Sequence, residues 1–424
     1  MFATIIRKTK LIFGDRNLRR RILFVLGALG LFRLLATIPV PGVDHNQLAA
    51  FLSQNEFFGF LNIFSGGGLS NLSIVMLGVG PYITASIIMQ LLSIMSPQVK
   101  ALYTEEGEIG RQKFTQYSRM LSVPLAFLQG LGFLMLLTSQ GVIASMGIFP
   151  FLVNVVVVAT GSILLMWIGE LVSEFGIGNG VSLLIFAGIV ASLPTTISQL
   201  VFTYDPSQIP VYIAFLIAAL IVTAAVVFIT DAERPVPVTY AKQSRGGATT
   251  GGVSSYLPIR INQAGVIPII FALSLLMFPQ MIFQFMAQSA NTGLSTFAQQ
   301  AIYWINNQWV YGVAYFVLVF FFTYFYTAVT FDPQSIANNL QRSGAFVPGV
   351  RPGSATVEYL GHIVTRVTFM GALFLGAIAV LPIIVQGLTG VQALAIGGTA
   401  LLIVVSVVLD VVRKTDAQLS AKEY

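Results

Sequence analysis

Residues 57–92 read FFGFLNIFSGGGLSNLSIVMLGVGPYITASIIMQLL, a run without a single charged side chain. One helix needs about 20 residues to cross the roughly 30 Å hydrocarbon core, so this run is too long for one span. Ser65-Gly66-Gly67-Gly68 interrupts it, because glycine carries the largest entropic cost of ordering in a helix. The pattern predicts a short apolar half-helix, a flexible joint and a full span from about Asn71 onward. Non-helical backbone at membrane depth must be buried by protein or line a water-filled cavity. The stretch therefore indicates a cavity with a small movable element inside it.

The composition is that of a polytopic membrane protein. Of the 424 residues, 56% are hydrophobic and 9% are charged, whereas soluble domains carry about 25% charged residues. The chain has no cysteine, which excludes a disulfide framework and thiolate chemistry. The N-terminal segment is basic and then apolar, like a signal sequence. Arg33 interrupts its apolar part and no small-residue cleavage site precedes Pro39, so we interpret it as a retained first span.

Hydropathy and charge together predict ten spans. They cover about residues 22–40, 72–94, 119–139, 151–170, 181–200, 209–230, 264–288, 308–330, 367–387 and 393–412. All but one of the 22 Lys and Arg residues lie before the first span, in the even-numbered connections or their edges, or in the C-terminal tail; the exception is Arg33. Basic residues concentrate in cytoplasmic loops. The pattern predicts that both termini and the long loops 230–262 and 331–364 face the cytoplasm.

The ten predicted spans divide into two sets of five. The predicted organisation is a cytoplasmic segment 1–21, a first half 22–200, a second half 201–412 and a cytoplasmic tail 413–424. Because each half has an odd number of spans, the second half has the opposite orientation in the membrane to the first. The sequence contains no visible repeat. Inverted halves often enclose a central site.

The two long loops have different turn patterns. Residues 230–262 mix Pro, Gly and β-branched residues with basic ones and predict a projecting hairpin, while 331–364 contains two Pro-Gly turns. Such loops are either solvated positive-inside connections or docking sites for partners.

The sequence contains few residues that could do catalysis. His45 and His362 are the only histidines, and they lie in predicted loops on opposite sides of the membrane. No HExxH, GxSxG or GxxxxGK[ST] pattern occurs, so the usual signs of a metalloprotease, a serine hydrolase or a P-loop ATPase are missing. The predicted spans offer Arg33 and, near their ends, Glu170 and Asp410. Arg33 is isolated, so we predict a structural role for it. The pattern predicts a passive path, with no cofactor and no catalysis.

Five segments resemble one known family in order and spacing. They are FSGGGLSNLSIVMLGVGPYITASIIMQLL (64–92), GELVSEFGIGNGVSLLIFAGIVASLP (169–194), LPIRINQAGVIPIIFA (257–272), NLQRSGAFVPGVRPG (339–353) and GGTALLIVV (397–405). Together they resemble the SecY family, the central subunit of the bacterial protein-conducting channel, over essentially the whole chain. The resemblance implies an all-α polytopic membrane protein with ten transmembrane helices in two inverted five-helix halves around a central pore.

The resemblance also implies a plug and a pore ring. The plug corresponds to residues 57–71, centred on Phe64, Ser65, Gly66, Gly67 and Gly68. The ring positions are Val79, Ile83, Ile185, Ile189, Ile270 and Ile403, where Val79 is smaller than the isoleucine common in the family. An aliphatic collar excludes water and ions by dewetting, and it offers no fixed hydrogen bonds to trap a moving peptide. Taken singly, any of these aliphatic residues is better explained as core or lipid-facing.

A lateral gate is implied between the second and seventh spans. Thr84 and Phe278 match family positions at that seam. Gln129 and Ser274 add polar contacts there or make ordinary interhelical hydrogen bonds; both interpretations stay open.

The resemblance implies docking of the ribosome or the SecA motor at the two long loops, where Arg351 in the GVRPG turn matches a family arginine and Lys242 and Arg245 lie in the other docking loop. The family often has further basic residues beyond them, where this chain has Gly246-Gly247-Ala248. Ribosomal RNA would be held mainly through its phosphates, in a salt-dependent way.

The function implied is translocation of unfolded secretory proteins across the bacterial cytoplasmic membrane and lateral release of membrane proteins into its lipids. Signal sequences and unfolded polypeptides would be the substrates, and SecE-like and SecG-like membrane subunits the permanent partners. The chain would not be an enzyme, since SecA, the proton-motive force or ribosomal synthesis drives transport. The leading alternative is a secondary transporter with a five-plus-five inverted repeat, which deep ionisable pairs would favour. A membrane-embedded enzyme is the third alternative.

Overall fold

The computed structural model describes residues 14–41, 62, 65, 67–69, 71–104, 107–139, 141–144, 147–202, 209–240, 243–245, 248–250, 254–287, 291–305, 307–389 and 392–423. The helices within these ranges are α1 Arg16–Leu35, α2 Gly80–Met95, α3 Pro97–Thr104, α4 Gly107–Ser139, α5 Ile148–Phe175, α6 Gly180–Phe202, α7 Ile209–Asp231, α8 Ile267–Ala287, α9 Thr292–Ile305, α10 Gln308–Thr330, α11 Pro333–Arg342, α12 Ser354–Thr389 and α13 Gln392–Glu423. The strands are β1 Glu233–Tyr240, β2 Gln243–Arg245, β3 Ala248–Thr250, β4 Ser254–Arg260 and β5 Ala345–Phe346.

Each of the ten predicted spans contains one helix, and the fold is the predicted all-α membrane architecture. The helices that match the spans are α1, α2, α4, α5, α6, α7, α8, α10, α12 and α13. In the described part of the chain, four helical stretches are both long and apolar enough to cross a membrane by themselves: Gly107–Thr138, Ile148–Phe175, Gln308–Arg342 and Ser354–Val385. Shorter apolar helices occur at Gly180–Pro194, Leu216–Asp231 and Ile267–Leu276. The count of ten crossings and the division into domains stay predictions.

The second span is shorter than predicted. We expected a helix from about Asn71, but residues 71–79 form turns and α2 begins at Gly80. The backbone of this stretch is hydrogen-bonded to the segment that follows α1: the Val40 N–H donates to the Leu72 carbonyl at 2.8 Å and the Ile74 N–H donates to the Ile38 carbonyl at 3.0 Å. These bonds satisfy buried backbone groups outside a helix.

Helix α5 holds the same stretch from the other side. The Ser162 hydroxyl donates to the Gly78 carbonyl at 2.8 Å. Gly161 faces the backbone of Ile74 so closely that a β-carbon at position 161 would collide with the Ile74 carbonyl oxygen. The irregular segment is therefore packed in place by a helix far along the chain, which is why local composition predicts it wrongly.

Substituting Gly161 with Ala should destabilise the protein by about 1–3 kcal/mol, since the new methyl group would press against backbone atoms that cannot rotate away. The thermal midpoint of the purified protein measures this. Gly30→Ala on α1 is the matched control, because nothing lies within 4 Å of a β-carbon there. Equal midpoints for the two variants would contradict the proposed close packing.

The predicted hairpin in loop 230–262 is confirmed. Strands β1 and β4 pair antiparallel from Glu233 opposite Arg260 to Thr239 opposite Ser254, and β2 pairs with β3 at the tip. The short strand β5, from the second long loop, pairs with β1 on its other edge. Val236 and Ile259 of the hairpin pack with Val347, Leu360, Ile363 and Val364. The two long loops thus form one structure beside the start of α12.

Candidate functional site

The six predicted ring positions lie in one hydrophobic cluster. Val79 is the N-cap of α2 and Ile83 lies in its first turn; Ile185 and Ile189 belong to α6, Ile270 to α8 and Ile403 to α13. All six side chains are buried, with exposed fractions from 1% to 7%, and all six belong to the same core cluster.

The four helices that carry these positions contact one another between the two predicted halves. Two helices of the predicted second half contact helices of the predicted first half. Helix α8 contacts α2 and α4, and α13 contacts α6. These contacts form two seams, and every ring position lies on a helix that borders one of them. Although Val79 precedes the regular helix, the Ile83 N–H donates to its carbonyl at 3.1 Å, which keeps the two side chains one turn apart. The arrangement surrounds the junction of the halves with aliphatic side chains.

A cavity of about 260 Å³ lies next to the ring on the side of the long loops. Its walls include Ser182, Val266 and Val407, each about one helical turn from a ring residue. Arg260, at the base of the hairpin, also lines it. The ring is therefore bordered by open space on the side where the basic loops lie.

Polar residues line this cavity, and the sequence analysis did not predict them. The side-chain oxygens Thr230 Oγ1, Asn262 Oδ1 and Ser406 Oγ are buried and have no hydrogen-bond partner among the described residues. Buried polar atoms usually need a partner or water, so these three oxygens are unsatisfied groups buried in the wall of the cavity and not part of its accessible surface. Ser406 lies three residues after Ile403, and this spacing is the sequence feature that could have indicated a polar group near the ring.

Ion pairs join charged residues of the helices. Arg119 on α4 contacts Glu170 on α5 at 2.5 Å, and Lys414 contacts Asp410 at 2.8 Å. Arg413 pairs with Asp231 across α13 and α7. Within the described ranges, no group of His, Asp and Glu residues is arranged to hold a metal ion. The two acids that sequence analysis noted, Glu170 and Asp410, both lie in ion pairs.

The glycine-rich joint of the predicted plug forms a hydrogen-bonded turn. The buried Ser65 hydroxyl donates to the Asn62 carbonyl at 3.0 Å and accepts from the Leu69 N–H at 3.1 Å. Gly67 has φ +80°, a value that favours glycine. Phe64, Gly66 and most of residues 57–63 lie outside the described residues.

Two leucines attach this turn to the first half. Leu69 and Leu72 are fully buried in a second hydrophobic cluster with Leu134 and Leu137 of α4 and Val158 of α5. Leu72 has φ +40°, which is unusual for a residue with a side chain. The turn is therefore packed against α4 and α5.

Arg33 lies beside the predicted plug. Its Nη1 atom is 3.5 Å from the position that a β-carbon at Gly67 would occupy, and its side chain is half-buried on α1. The contact agrees with the structural role predicted for this arginine.

Some of the predicted gate residues lie near the α2–α8 seam. Gln129 Nε2 donates to Thr84 Oγ1 at 3.4 Å, and both side chains are buried. This bond joins α4 to α2, so it is an interhelical hydrogen bond within the first half. Ser274 is half-buried on α8, while the side chain of Phe278 lies outside what the structure describes. Both α2 and α4 contact α8, which brings the bonded pair close to the seam.

Arg351 is exposed at the tip of a fixed turn. Gly349 and Gly353 flank it with φ of +82° and +101°, and the Thr356 hydroxyl donates to the Arg351 carbonyl at 2.9 Å. Arg245 ends β2 at the hairpin tip, and Lys242 falls outside the described residues. Because β5 pairs with β1, the turn and the hairpin belong to the same surface.

The fold and the site define a class: a multi-pass helical membrane protein with a buried aliphatic cluster and a cavity lined partly by polar residues. The SecY family model matches residues 73–412. The chain is 41% identical over 428 residues to the protein translocase subunit SecY of Mycobacterium leprae (strain TN), covering 96% of each chain. The chain therefore belongs to the SecY family.

Solved structures share the fold. A protein-conducting channel matches with a TM-score of 0.66 at 21% identity, over 94% of this chain and 92% of that one. Sec61 in the canine ribosome-channel complex from the endoplasmic reticulum matches with a TM-score of 0.62, also at 21% identity and over the same shares of the two chains.

Proposed function

We propose that this chain is the channel-forming subunit of a protein translocase. It passes unfolded secretory polypeptides across the bacterial cytoplasmic membrane and releases membrane proteins sideways into the lipid. The observation that carries the proposal is the burial of six aliphatic side chains in one hydrophobic cluster, on helices that contact one another across the two predicted halves. The relative from M. leprae carries the name of a protein translocase subunit, which supports the same function.

The ring acts as an adaptable seal. Aliphatic side chains exclude water and ions from a narrow constriction without offering hydrogen bonds that would hold a peptide. The adjacent cavity supplies what the ring lacks, because polar and charged residues such as Ser182 and Arg260 line it and can bond to the backbone of an arriving chain or to its water. A polypeptide thus meets a polar vestibule first and an apolar constriction next.

The turn around Ser65 and Gly67 is the base of the plug. Its own hydrogen bonds keep it compact, Leu69 and Leu72 attach it to α4 and α5, and Arg33 lies against it. In the closed channel this base holds the plug next to the constriction. Opening requires that the turn be displaced.

Gly67→Ala should favour displacement of the plug. A non-glycine residue at positive φ costs about 1–2 kcal/mol, which is a factor of about 5–30 in an equilibrium. We expect the resting ion leak of vesicles containing the channel to rise several-fold. Gly344→Ala is the control, because Gly344 also has positive φ (+67°) but lies in the loop after α11 with open space around it. Similar leaks from both variants would remove Gly67 from the plug mechanism.

The lateral gate lies along the contacts of α8 with α2 and α4. The Thr84–Gln129 hydrogen bond stays within the first half, so the gate can part without breaking it. A hydrophobic signal sequence would replace the apolar contacts that α8 gives up, with Ser274 and Phe278 on its moving side. Membrane lipids are then in contact with the open seam.

The basic surface of the hairpin and the Arg351 turn is the docking site. We assign Lys242, Arg245 and Arg351 to contacts with the SecA motor and the ribosome, including phosphates of ribosomal RNA, and place this surface and both termini in the cytoplasm. The canine relative was solved in a ribosome-channel complex, which supports the ribosome as a partner. SecE-like and SecG-like membrane subunits complete the assembly, and external energy drives transport without catalysis by this chain.

Transport into vesicles tests the function. Vesicles would contain the chain with SecE-like and SecG-like subunits, and SecA, ATP and an unfolded secretory precursor would be added outside. We expect part of the precursor to become protected from added protease in an ATP-dependent way. A precursor that stays fully digestible, in vesicles that take up a small solute instead, would favour the secondary transporter. Glu170 and Asp410 lie at the ends of the predicted spans and are held in ion pairs, which disfavours that alternative.

A further inference from the structure

Helix α9 is amphipathic and was not among the predicted spans. At 100° per residue, its polar side carries Thr292, Thr296, Gln299, Gln300 and Tyr303, and the opposite side is apolar. No charged residue occurs between Arg260 and Asp332. The helix therefore separates polar from apolar groups without using any charge.

Part of the apolar side of α9 packs against the end of α8. Ala298 is fully buried, the Ser295 hydroxyl donates to the Ala287 carbonyl at 2.9 Å, and the rings of Phe283 and Phe297 lie 6.0 Å apart edge to face. These contacts attach α9 to the last turns of α8, at the end away from the hairpin.

The rest of the apolar side is exposed. Leu294, Phe297 and Trp304 are 45%, 58% and 59% exposed. Phe297 and Trp304 are seven residues apart, so they point in nearly the same direction. We call Leu294, Phe297 and Trp304 the α9 stripe.

The surroundings of the stripe indicate what covers it. Trp309 is exposed just beyond α9, and α10 continues with exposed Val313, Val317 and Phe321, so the stripe is continuous with the apolar outer surface of a membrane helix. Tryptophan and tyrosine are enriched at membrane–water interfaces. A helix with one polar and one apolar side lies in the plane of such an interface. The chemistry of this surface fits a lipid interface.

We infer that α9 is an interfacial anchor whose stripe inserts at the boundary between lipid headgroups and acyl chains, in the leaflet opposite the basic loops, and thereby fixes the end of α8. Interfacial helices often carry Lys and Arg that attract anionic lipids, and α9 has none. Its insertion is apolar, so it needs neither anionic lipid nor low salt. The inference does not depend on the function proposed above.

Tryptophan fluorescence tests the depth of the stripe. The chain has three tryptophans, so the W167F and W309F substitutions leave Trp304 as the only reporter. The purified protein would be placed in phosphatidylcholine vesicles with bromine either near the headgroup or near the chain end. We expect shallow bromines to quench at least half of the Trp304 emission and deep bromines clearly less. Added anionic lipid or salt should leave both values unchanged.

A reporter on the polar side is the matched control. W304F combined with Gln299→Trp moves the single tryptophan to the opposite side of the same helix, where shallow bromines should quench it weakly. Equal quenching at both positions, or stronger quenching of Trp304 by deep bromines, would overturn the inference. Shielding of Trp304 from bromines on addition of small membrane subunits would also overturn it, since a protein would then cover the stripe.

The attachment of α8 has its own test. The chain has no cysteine, so Ile282→Cys gives a single site for a spin label on the exposed side of α8. Changing Leu294 and Trp304 to Ser, which leaves the Phe283–Phe297 ring contact in place, should clearly increase the mobility of this label. Changing Thr296 and Gln299 to Ala, on the polar side, should not. Unchanged mobility in the Ser variant would show that the stripe does not fix the end of α8.

Discussion

Replacing Ile403 with Asn should raise the ion conductance of the resting channel about tenfold or more. Ile403 is 1% exposed and lies in the cluster with the other ring residues. An amide there binds water in a constriction that depends on dewetting to stay closed. The Ile403→Asn substitution should also relax the requirement for a functional signal sequence, since a hydrated ring stabilises the closed state less. Conductance of planar bilayers containing the reconstituted complex measures the first effect.

Two controls separate hydration of the ring from loss of stability. Burying an unsatisfied amide costs about 1–3 kcal/mol wherever it occurs. Leu402 is also 1% exposed in the same cluster but is not a ring position, so Leu402→Asn should lower stability without the leak. Ile403→Val removes one methyl group and keeps the ring dry, so its conductance should stay close to that of the unmodified protein. A leak from Leu402→Asn as large as that from Ile403→Asn would mean that the ring positions are not special.

Changing Arg351 to Glu should weaken binding of SecA or the ribosome roughly tenfold at low salt and slow transport accordingly. The side chain is exposed on a turn fixed by two glycines and the Thr356 hydroxyl, so reversing its charge leaves the fold intact. Exposed substitutions usually change stability by less than about 0.5 kcal/mol. The difference in affinity should shrink as ionic strength rises, because exposed charges are screened. Titration of labelled partner at several salt concentrations measures this.

Arg111→Glu is the control for net charge. Arg111 is also exposed, on α4, and belongs to a different basic connection. The control variant should bind its partners with almost normal affinity. If Arg351→Glu binds and transports normally, or if both variants lose affinity equally, Arg351 has no specific docking role.

The sequence was sufficient for most of the membrane helices and for the hairpin. Long uncharged runs and the distribution of Lys and Arg predicted the helices, and the Pro- and Gly-rich loop 230–262 forms the hairpin that was expected. The ring was a different case. Ile270 and Ile403 are two aliphatic residues in a chain that is 56% hydrophobic, so only their match to family motifs distinguished them.

Features that depend on distant contacts were missed. Residues 71–79 are as apolar as a membrane span. The groups that keep them out of a helix lie in α5, where Ser162 donates to the Gly78 carbonyl 84 residues away and Gly161 faces Ile74. Strand β5 pairs with a strand of another loop, so the local sequence pattern does not predict it. The unpaired oxygens of Asn262 and Ser406 depend on packing around a cavity lined by five of the described helices, so the sequence alone did not indicate them.

Crosslinking of a stalled secretory chain tests the central claim most directly. Because the protein lacks cysteine, single cysteines can be introduced at each of the six ring positions, with Ile217 and Leu220 on the exposed side of α7 as matched aliphatic controls. A translocating chain arrested halfway and carrying one cysteine-reactive probe should crosslink to all six ring positions and to neither control. Crosslinks to the control positions, or absence of crosslinks to the ring in a complex that still transports, would contradict a polypeptide path through this constriction.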